Sequence, residues 1–294
     1  MSSIADRVSY FLDCLGKYRS KRHFICGNCG SSQFETVDRK YVVTSLRRCQ
    51  HCRILYRVPT TTHQENDAFY NEKYEEGFTT STPTDDKLKS LVKTKFVNSE
   101  KNYYSYIDSL RKLGIKPGDR VFDFGCSWGY GSYQLSDCGY KVTSFEISRS
   151  RAAFAAEKLG VNIVEDIKYF LENQNNKNSF DCFFSCHVLE HVPSPSETLA
   201  LGQALIRKGG LIVAITPNGA VAYRQKNPVS WHRVWGEKHP YLLDDVFYRS
   251  CFQDRQMLIC SLPIGDAEAA AFRSGQCLVE NHLDGPELLV SARI

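Results

Sequence analysis

Residues 121–131 read Val-Phe-Asp-Phe-Gly-Cys-Ser-Trp-Gly-Tyr-Gly, an apolar strand that runs directly into a glycine-containing turn. Glycines in such a turn let the backbone approach a ligand, and the N–H groups of the helix that follows point at it. A dinucleotide fingerprint needs glycine at the third position after the strand, where this chain has Ser127. The pattern that remains, Asp-x-Gly-x-x-x-Gly from Asp123 to Gly129, predicts a ligand-binding turn of a different kind.

Apolar segments alternate with helical segments from this strand onward. The predicted strands are residues 120–124, 141–146, 162–164, 180–185 and 210–215. Alternation of this kind indicates a parallel sheet with helices on both faces. Two further apolar stretches, 257–262 and 288–291, can form an antiparallel pair at the end of the chain, with no clear helix between them. The sequence therefore predicts an α/β fold with a mostly parallel, seven-stranded sheet.

Four landmarks follow one another in order along this region. They are the turn at 123–129, Glu146 at the end of the second strand, Cys-His-Val-Leu-Glu-His-Val at 186–192 and Leu-Ile-Arg-Lys-Gly-Gly-Leu at 205–211. Together they resemble the class I, Rossmann-like methyltransferases that use S-adenosyl-L-methionine (SAM). Ser127 departs from that pattern, because the family usually carries glycine there. The resemblance implies a Rossmann-like fold, an enzyme and SAM as its cofactor.

The same resemblance implies which residues hold the cofactor. The glycine turn would cradle its methionine part, Glu146 would accept hydrogen bonds from both ribose hydroxyls, and Asp166 with Ile167 would contact the adenine. Cys186 ends the fourth strand at this site; we interpret it as a buried thiol, although some RNA cytosine-C5 methyltransferases use a thiol nucleophile there. The expected cofactor-binding residues are Asp123, Gly125, Cys126, Gly129, Glu146, Asp166, Ile167 and Cys186.

Two Cys-x2-Cys pairs precede this region, Cys26 with Cys29 and Cys49 with Cys52, separated by nineteen residues. Each pair can bind one zinc ion from a tight turn, and two pairs complete a tetrahedral all-thiolate site with no open position. We therefore predict a structural zinc ribbon, with four reduced thiols or a disulfide pair as alternatives. His51 lies inside the second pair and is read as an exposed loop residue.

Composition limits the classes of protein that the chain can be. Its 294 residues carry a net charge of +4, which is too mild to indicate a nucleic-acid binder by itself. The apolar runs are short, so we expect no membrane insertion and a cytoplasmic location. We expect two parts, residues 1–82 with a leading helix at 4–18, the ribbon and a short helix at 66–74, and residues 83–294 with the catalytic domain. A long helix is predicted at 88–113.

Methyl transfer to a hydroxyl or carbon acid needs a base, for which histidine is best tuned. His239 and His191 are the catalytic candidates, each with a packing role as its alternative. The front end resembles bacterial sugar and surface-polysaccharide methyltransferases, which implies a small-molecule acceptor such as a nucleotide sugar. Nucleic acid is an unfavoured partner, although a zinc ribbon also occurs in ribosomal RNA methyltransferases. A non-catalytic SAM-binding scaffold is the third alternative, and the methylated atom and the oligomeric state stay open.

Overall fold

The computed structural model describes residues 4–61, 65 and 81–294, and the helix predicted at 66–74 lies outside them. The larger of two sheets has eight strands in the order β11-β10-β12-β8-β7-β4-β5-β6. Its strands are β4 (Arg120–Phe124), β5 (Lys141–Phe145), β6 (Ile163–Val164), β7 (Phe180–Cys186), β8 (Ile206–Pro217), β10 (Met257–Ser261), β11 (Leu278–Asn281) and β12 (Glu287–Arg293). Strands β4 to β8 pair with one another in parallel, which confirms the α/β, Rossmann-like prediction.

The end of the chain adds one more strand than the seven predicted. Strand β12 runs antiparallel to both β8 and β10, so the predicted antiparallel pair is confirmed. Strand β11 pairs parallel to β10 at the sheet edge, and the helix Asp266–Arg273 makes the crossover between them. Only Val279 of β11 is buried, so this short edge strand has no apolar pattern to reveal it.

Helices pack on both faces of the larger sheet, and others pack against the smaller one. They are α1 (Ile4–Lys17), α2 (Asp85–Lys93), α3 (Tyr104–Leu113), α4 (Tyr130–Asp137), α5 (Arg149–Leu159), α6 (Ile167–Glu172), α7 (Pro195–Leu205), α8 (Val221–Lys226), α9 (Pro228–Val234), α10 (Asp245–Cys251) and α11 (Asp266–Arg273), with 3-10 turns at Lys21–Phe24 and Gln174–Asn176. Within the described part of the chain, no helix has the length and apolar character needed to cross a membrane.

The prediction of a single helix at 88–113 is wrong, because the chain forms α2 and α3 with a turn between them. Lys95 and Phe96 have positive φ values of 50° and 59°, which a continuous α-helix cannot contain. Phe96 is fully buried and packs beside Trp128, with the ring centroids 6.4 Å apart. The helix thus breaks where Phe96 packs against Trp128, and the helical periodicity of the sequence does not reveal this break.

The smaller sheet contains the predicted ribbon and one strand from far along the chain. Strands β1 (Phe34–Lys40), β2 (Thr44–Cys49), β3 (Leu55–Val58) and β9 (Tyr241–Leu242) are antiparallel in that order. Leu55 faces Leu242 and Tyr56 faces Tyr241 across the last pair. The ribbon thus shares backbone hydrogen bonding with the segment that follows β8, and the two parts pack as neighbours.

Candidate cofactor and acceptor site

The turn after β4 is fixed by its backbone. The N–H groups of Gly125 and Cys126 both donate to the carbonyl oxygen of Phe145, at 2.8 and 3.1 Å. Gly125 has a φ of +86°, and a Cβ added there would lie 2.4 Å from Cγ2 of Val188. Only glycine fits that position without displacing its neighbour. The glycine turn is therefore packed directly against the segment that follows β7.

Ser127 occupies the position where the sequence departs from the family pattern. Its φ is +54°, a left-handed conformation that glycine adopts more easily than other residues. Its N–H donates to Oε2 of Glu146 at 2.9 Å, and its hydroxyl accepts from Nη1 of Arg151 at 3.2 Å. Ser127 thus keeps the backbone conformation of a glycine and gains side-chain support for it.

Glu146 lies beside this turn, and its contact with the ribose of the cofactor stays a prediction. Its Oε1 accepts from the N–H of Ser148 at 2.8 Å, so the carboxylate is fixed by one backbone donor on each oxygen. Burial raises the pKa of Glu146, and the hydrogen bonds from Ser148 and Ser127 oppose that rise. Each carboxylate oxygen has a second lone pair for another donor, so the side chain can also bind a diol.

Asp123 has a different environment from Glu146. It is 2% exposed, and its Oδ2 accepts from the hydroxyl of Ser132 at 2.6 Å. Burial raises the pKa of Asp123 to about 6. The contact with Ser132 joins strand β4 to helix α4. Asp123 therefore holds together the two elements that flank the glycine turn.

The predicted adenine-contacting residues lie one strand further along the sheet. Strand β6 pairs in parallel with β5, so Asp166 and Glu146 both lie just beyond the carboxyl ends of neighbouring strands. Asp166 is exposed and caps α6, with Oδ1 accepting from the N–H groups of Lys168 at 2.8 Å and Tyr169 at 3.1 Å. Ile167 is half-buried against the core. One oxygen of Asp166 is thus used by the cap, and its contact with adenine stays a prediction.

The two cysteines predicted at this site are buried thiols. Burial raises the pKa of Cys126 and of Cys186 well above the ordinary value. A protonated thiol is a poor nucleophile, so this environment favours a packing role for Cys186 over covalent chemistry.

A cluster of titratable side chains follows β7 on the opposite side of the turn. His187 has a φ of +56°. Its Nε2 lies 2.6 Å from Oε1 of Glu287, which also accepts from the hydroxyl of Tyr106 at 2.8 Å. Burial alone lowers the pKa of His187, but the nearby carboxylates of Glu190 and Glu287 outweigh it and raise the pKa to about 10. His187 is therefore charged at neutral pH.

The structure brings together the two predicted catalytic histidines. His191 and His239 are separated by 4.8 Å between ring centroids. Glu190 lies beside them with a 1% exposed side chain, its Oε1 3.8 Å from Nε2 of His191 and 3.5 Å from Nδ1 of His187. Burial opposes ionisation of Glu190, but the surrounding histidines lower its pKa, whereas burial lowers the pKa of His239. Sequence reasoning missed Glu190, although its place between His187 and His191 in the sequence is a signal.

The four cysteines of the ribbon also converge. Their sulfur atoms all lie within 4.8 Å of one another, and two sulfur pairs, Cys26 with Cys52 and Cys29 with Cys49, are 3.6 Å apart. Four thiolates around one zinc ion at about 2.3 Å have sulfur–sulfur distances of about 3.8 Å. The donor set and its spacing therefore fit a tetrahedral zinc ion.

Asn28 joins this cluster to the larger domain, a role that its sequence position did not reveal. It lies in the first cysteine turn and is 7% exposed. Its Nδ2 donates to the hydroxyl of Ser196 at 2.8 Å, and its Oδ1 accepts from the N–H of Ser196 at 2.9 Å and the hydroxyl of Ser194 at 3.3 Å. Ser194 caps helix α7, so Asn28 fixes the ribbon to the start of that helix.

Comparison with known proteins finds similarity to methyltransferases of several kinds. The chain is 28% identical over 116 residues to the ubiquinone biosynthesis O-methyltransferase of Nitrosococcus oceani, which covers 38% of this chain and 49% of that protein. It is 26% identical over 117 residues to phosphoethanolamine N-methyltransferase 2 of Caenorhabditis elegans, covering 38% of this chain and 27% of that protein. A structure of geranyl diphosphate methyltransferase in complex with SAM shares 18% identity, with a TM-score of 0.47, over 72% of this chain and 92% of that one.

This chain therefore spans about half, or less, of the length of these curated relatives. A family model described as a methyltransferase domain matches residues 99–257, which is more than half of the 294 residues. The matched region contains the glycine turn, Glu146 and the histidine cluster. The chain belongs to the methyltransferase domain family.

Proposed function

We propose that this protein transfers a methyl group from SAM to a small-molecule acceptor. The observation that carries the proposal is the buried carboxylate of Glu146, held by the N–H groups of Ser127 and Ser148 beside a left-handed glycine turn. A fixed carboxylate can accept hydrogen bonds from the two hydroxyls of a ribose. SAM supplies a sulfonium methyl group with an excellent leaving group, so the protein mainly has to position and desolvate the acceptor.

The acceptor would bind at the histidine cluster, on the opposite side of the turn. Val188 packs against Gly125, and His187 and Glu190 lie on either side of Val188 in sequence. His239 donates from Nδ1 to the carbonyl of Val234 at 2.7 Å, which leaves Nε2 as its proton-accepting atom. We assign acceptor deprotonation to His239, with His191 beside it.

A hydroxyl of a sugar or nucleotide sugar is the acceptor that we propose. The resemblance of the front end to bacterial sugar methyltransferases supports this class. Relatives named for ubiquinone biosynthesis and for phosphoethanolamine support a small molecule more broadly, and their names do not point to sugars. The buried, protonated Cys186 thiol favours this reading over a thiol-dependent RNA enzyme.

We further propose that Cys26, Cys29, Cys49 and Cys52 hold one structural zinc ion. A zinc ion there would cross-link the two cysteine turns and fill its coordination shell with thiolates. Its role would be to hold Asn28 and the edge strand β3 in place against the catalytic domain.

Calorimetric titration with SAM tests the cofactor assignment. We expect the variant Glu146→Gln to bind SAM about 10- to 100-fold more weakly, because hydrogen bonds to a charged group contribute roughly 1.5–3 kcal/mol. Glu165→Gln, which removes an exposed acid at the same sheet edge, serves as the control and should bind SAM like the wild type. Absence of SAM binding by the wild-type protein would contradict the proposal.

The acceptor class requires a second experiment. The protein is incubated with SAM and individual nucleotide sugars, and mass spectrometry looks for the gain of one methylene unit. Methylation of RNA without methylation of any sugar would replace the acceptor class while keeping the enzyme class. SAM binding without methyl transfer to any component of a cell extract would favour the non-catalytic scaffold.

A further inference from the structure

We propose that Glu190, His191 and His239 form a binding site for a divalent transition-metal ion at the acceptor side of the cofactor turn. The three residues come from two segments of the chain that the fold brings together. One ligand atom from each lies within 4.8 Å of the other two. This inference goes beyond the proposed function in assigning a second metal, distinct from the zinc of the ribbon.

The spacing is close to that of a metal site. Donors at about 2.1 Å from an ion in a tetrahedral arrangement are about 3.4 Å apart. Oε1 of Glu190 and Nε2 of His191 are separated by 3.8 Å. The three donors would have to move closer together to surround one ion.

Both imidazoles are held as metal-binding histidines usually are. Nδ1 of His191 contacts the carbonyl of Lys238 at 2.6 Å, and Nδ1 of His239 contacts the carbonyl of Val234 at 2.7 Å. A carbonyl can only accept, so each Nδ1 carries the proton and each Nε2 carries the lone pair. Metal-ligating histidines donate their other N–H to a carbonyl or carboxylate in this way, which fixes the tautomer and the ring orientation.

The carboxylate of Glu190 supplies an independent indication. Its side chain is 1% exposed, and within the described residues neither oxygen has a hydrogen-bond partner. An ionised carboxylate buried in this state is costly unless it is paired or coordinates a cation. His187 compensates part of this charge from 3.5 Å, but its Nε2 is bound to Glu287 at 2.6 Å. An ion between Glu190 and the two imidazoles would satisfy the carboxylate.

The donor set selects the class of ion. Imidazole nitrogen suits transition metals, whereas magnesium and calcium prefer oxygen ligands. Three protein ligands leave open positions, unlike the four thiolates of the ribbon. A catalytic use of this ion rests on the proposed function. The acceptor hydroxyl would occupy an open coordination position on the ion and lose its proton to water. Its oxygen would then bond to the methyl carbon of SAM as the carbon–sulfur bond breaks, and S-adenosylhomocysteine would leave. With the ion bound, Nε2 of His239 would be a metal ligand, so His239 would act as the base only in the metal-free enzyme and the ion would acidify the hydroxyl in its place.

Titration with Mn²⁺ tests the site directly, because Mn²⁺ favours oxygen and nitrogen ligands over thiolates. The full-length, zinc-loaded protein is titrated while the electron paramagnetic resonance signal of free Mn²⁺ is followed. We expect one bound ion in the wild type and at least tenfold weaker binding in Glu190→Gln and His239→Ala. His232→Ala, whose ring contacts Asp38 away from the cluster, should bind like the wild type.

A second measurement needs no variant and therefore does not depend on whether the variants fold. Electron spin echo modulation of the bound Mn²⁺ should show coupling to imidazole nitrogen. A wild-type protein that binds Mn²⁺ no more tightly than Glu190→Gln, or a bound ion without nitrogen coupling, would overturn the metal site. Calorimetry with SAM is done without added metal, so loss of the cofactor assignment and loss of the metal site give different results.

Discussion

The two clusters of candidate metal ligands in this protein differ in their place in the chain, in their donor atoms and in the coordination positions that they would leave open. The four cysteines come from two short turns, offer four identical donors and would close the coordination shell of the proposed zinc ion. Glu190, His191 and His239 come from segments on either side of β8, offer mixed donors and would leave positions open on the proposed ion. A closed thiolate shell can stabilise structure only, whereas an open nitrogen and oxygen shell can also bind and activate a ligand.

The two clusters are nevertheless mechanically connected. Strand β9 pairs with β3 of the ribbon and begins two residues after His239. Tyr241, in that strand, donates from its hydroxyl to the carbonyl of Pro193 at 2.8 Å, and Asn28 binds the start of α7. Disturbance of the ribbon should therefore reach the acceptor side, while substitutions at the acceptor side should leave the ribbon folded. Four experiments probe the ribbon, its connection to the larger domain and a buried carboxylate of that domain.

Removal of one thiolate should have the largest effect on stability. We expect Cys49→Ser to lose the zinc ion and to lower the free energy of unfolding by on the order of 5 kcal/mol, because binding of a structural zinc ion is coupled to folding. Metal analysis and denaturant unfolding measure the two quantities. Cys277→Ser removes an exposed thiol outside the cluster and is the matched control. Full zinc content in Cys49→Ser would show that the ribbon does not use four thiolates.

The connection through Asn28 should have the next largest effect. Asn28→Ala removes the side-chain hydrogen bonds to Ser194 and Ser196 and leaves the buried cap of α7 without that partner. We expect the free energy of unfolding to fall by about 2 kcal/mol, since a buried polar group left unsatisfied costs roughly 1–3 kcal/mol. Zinc content should stay unchanged. A free energy of unfolding equal to that of the wild type would mean that the ribbon and the larger domain are not coupled through Asn28.

Asp123 offers a second buried carboxylate for comparison with Glu190. Burial raises its pKa to about 6, above the value of about 3.9 for an unfolded aspartate. The folded state therefore binds its proton more tightly, and the associated stability is present below about pH 4 and lost as pH rises through 6. Asp123→Asn is uncharged and removes this dependence. We expect it to gain on the order of 2 kcal/mol relative to the wild type between pH 4 and pH 8.

Thermal unfolding without SAM at several pH values measures that difference. Asparagine can still accept the hydrogen bond from Ser132, so the substitution changes charge more than contacts. A stability difference between wild type and variant that is constant with pH would contradict the raised pKa.

His51 should have the smallest effect. It lies between Cys49 and Cys52 but is exposed, and four sulfur atoms already occupy the site. We expect His51→Ala to keep its zinc and to change the free energy of unfolding by less than about 0.5 kcal/mol, as is usual for surface substitutions. Loss of zinc from this variant would mean that the coordination shell includes a histidine.

The sequence predicted much of the fold because the informative residues are contiguous. Strand β4 has the predicted bounds, and β5, β7 and β10 differ by one residue at one end. Periodicity failed at 88–113, where the positive φ values of Lys95 and Phe96 break the helix, and at β11, where a short edge strand buries one side chain. Local patterns report burial of regular elements and contain little information about irregular turns or weakly buried edges.

The candidate site divides in the same way. The sequence by itself determined the glycine turn with Glu146 and the two cysteine pairs, because each depends on backbone geometry and spacing over a few residues. Only the tertiary structure decided that Glu190 and His191 meet His239, that Asn28 binds Ser194 and Ser196, and that β9 completes the ribbon sheet. Such contacts between distant segments depend on strand order, register and packing of the whole chain, which no short stretch of sequence specifies.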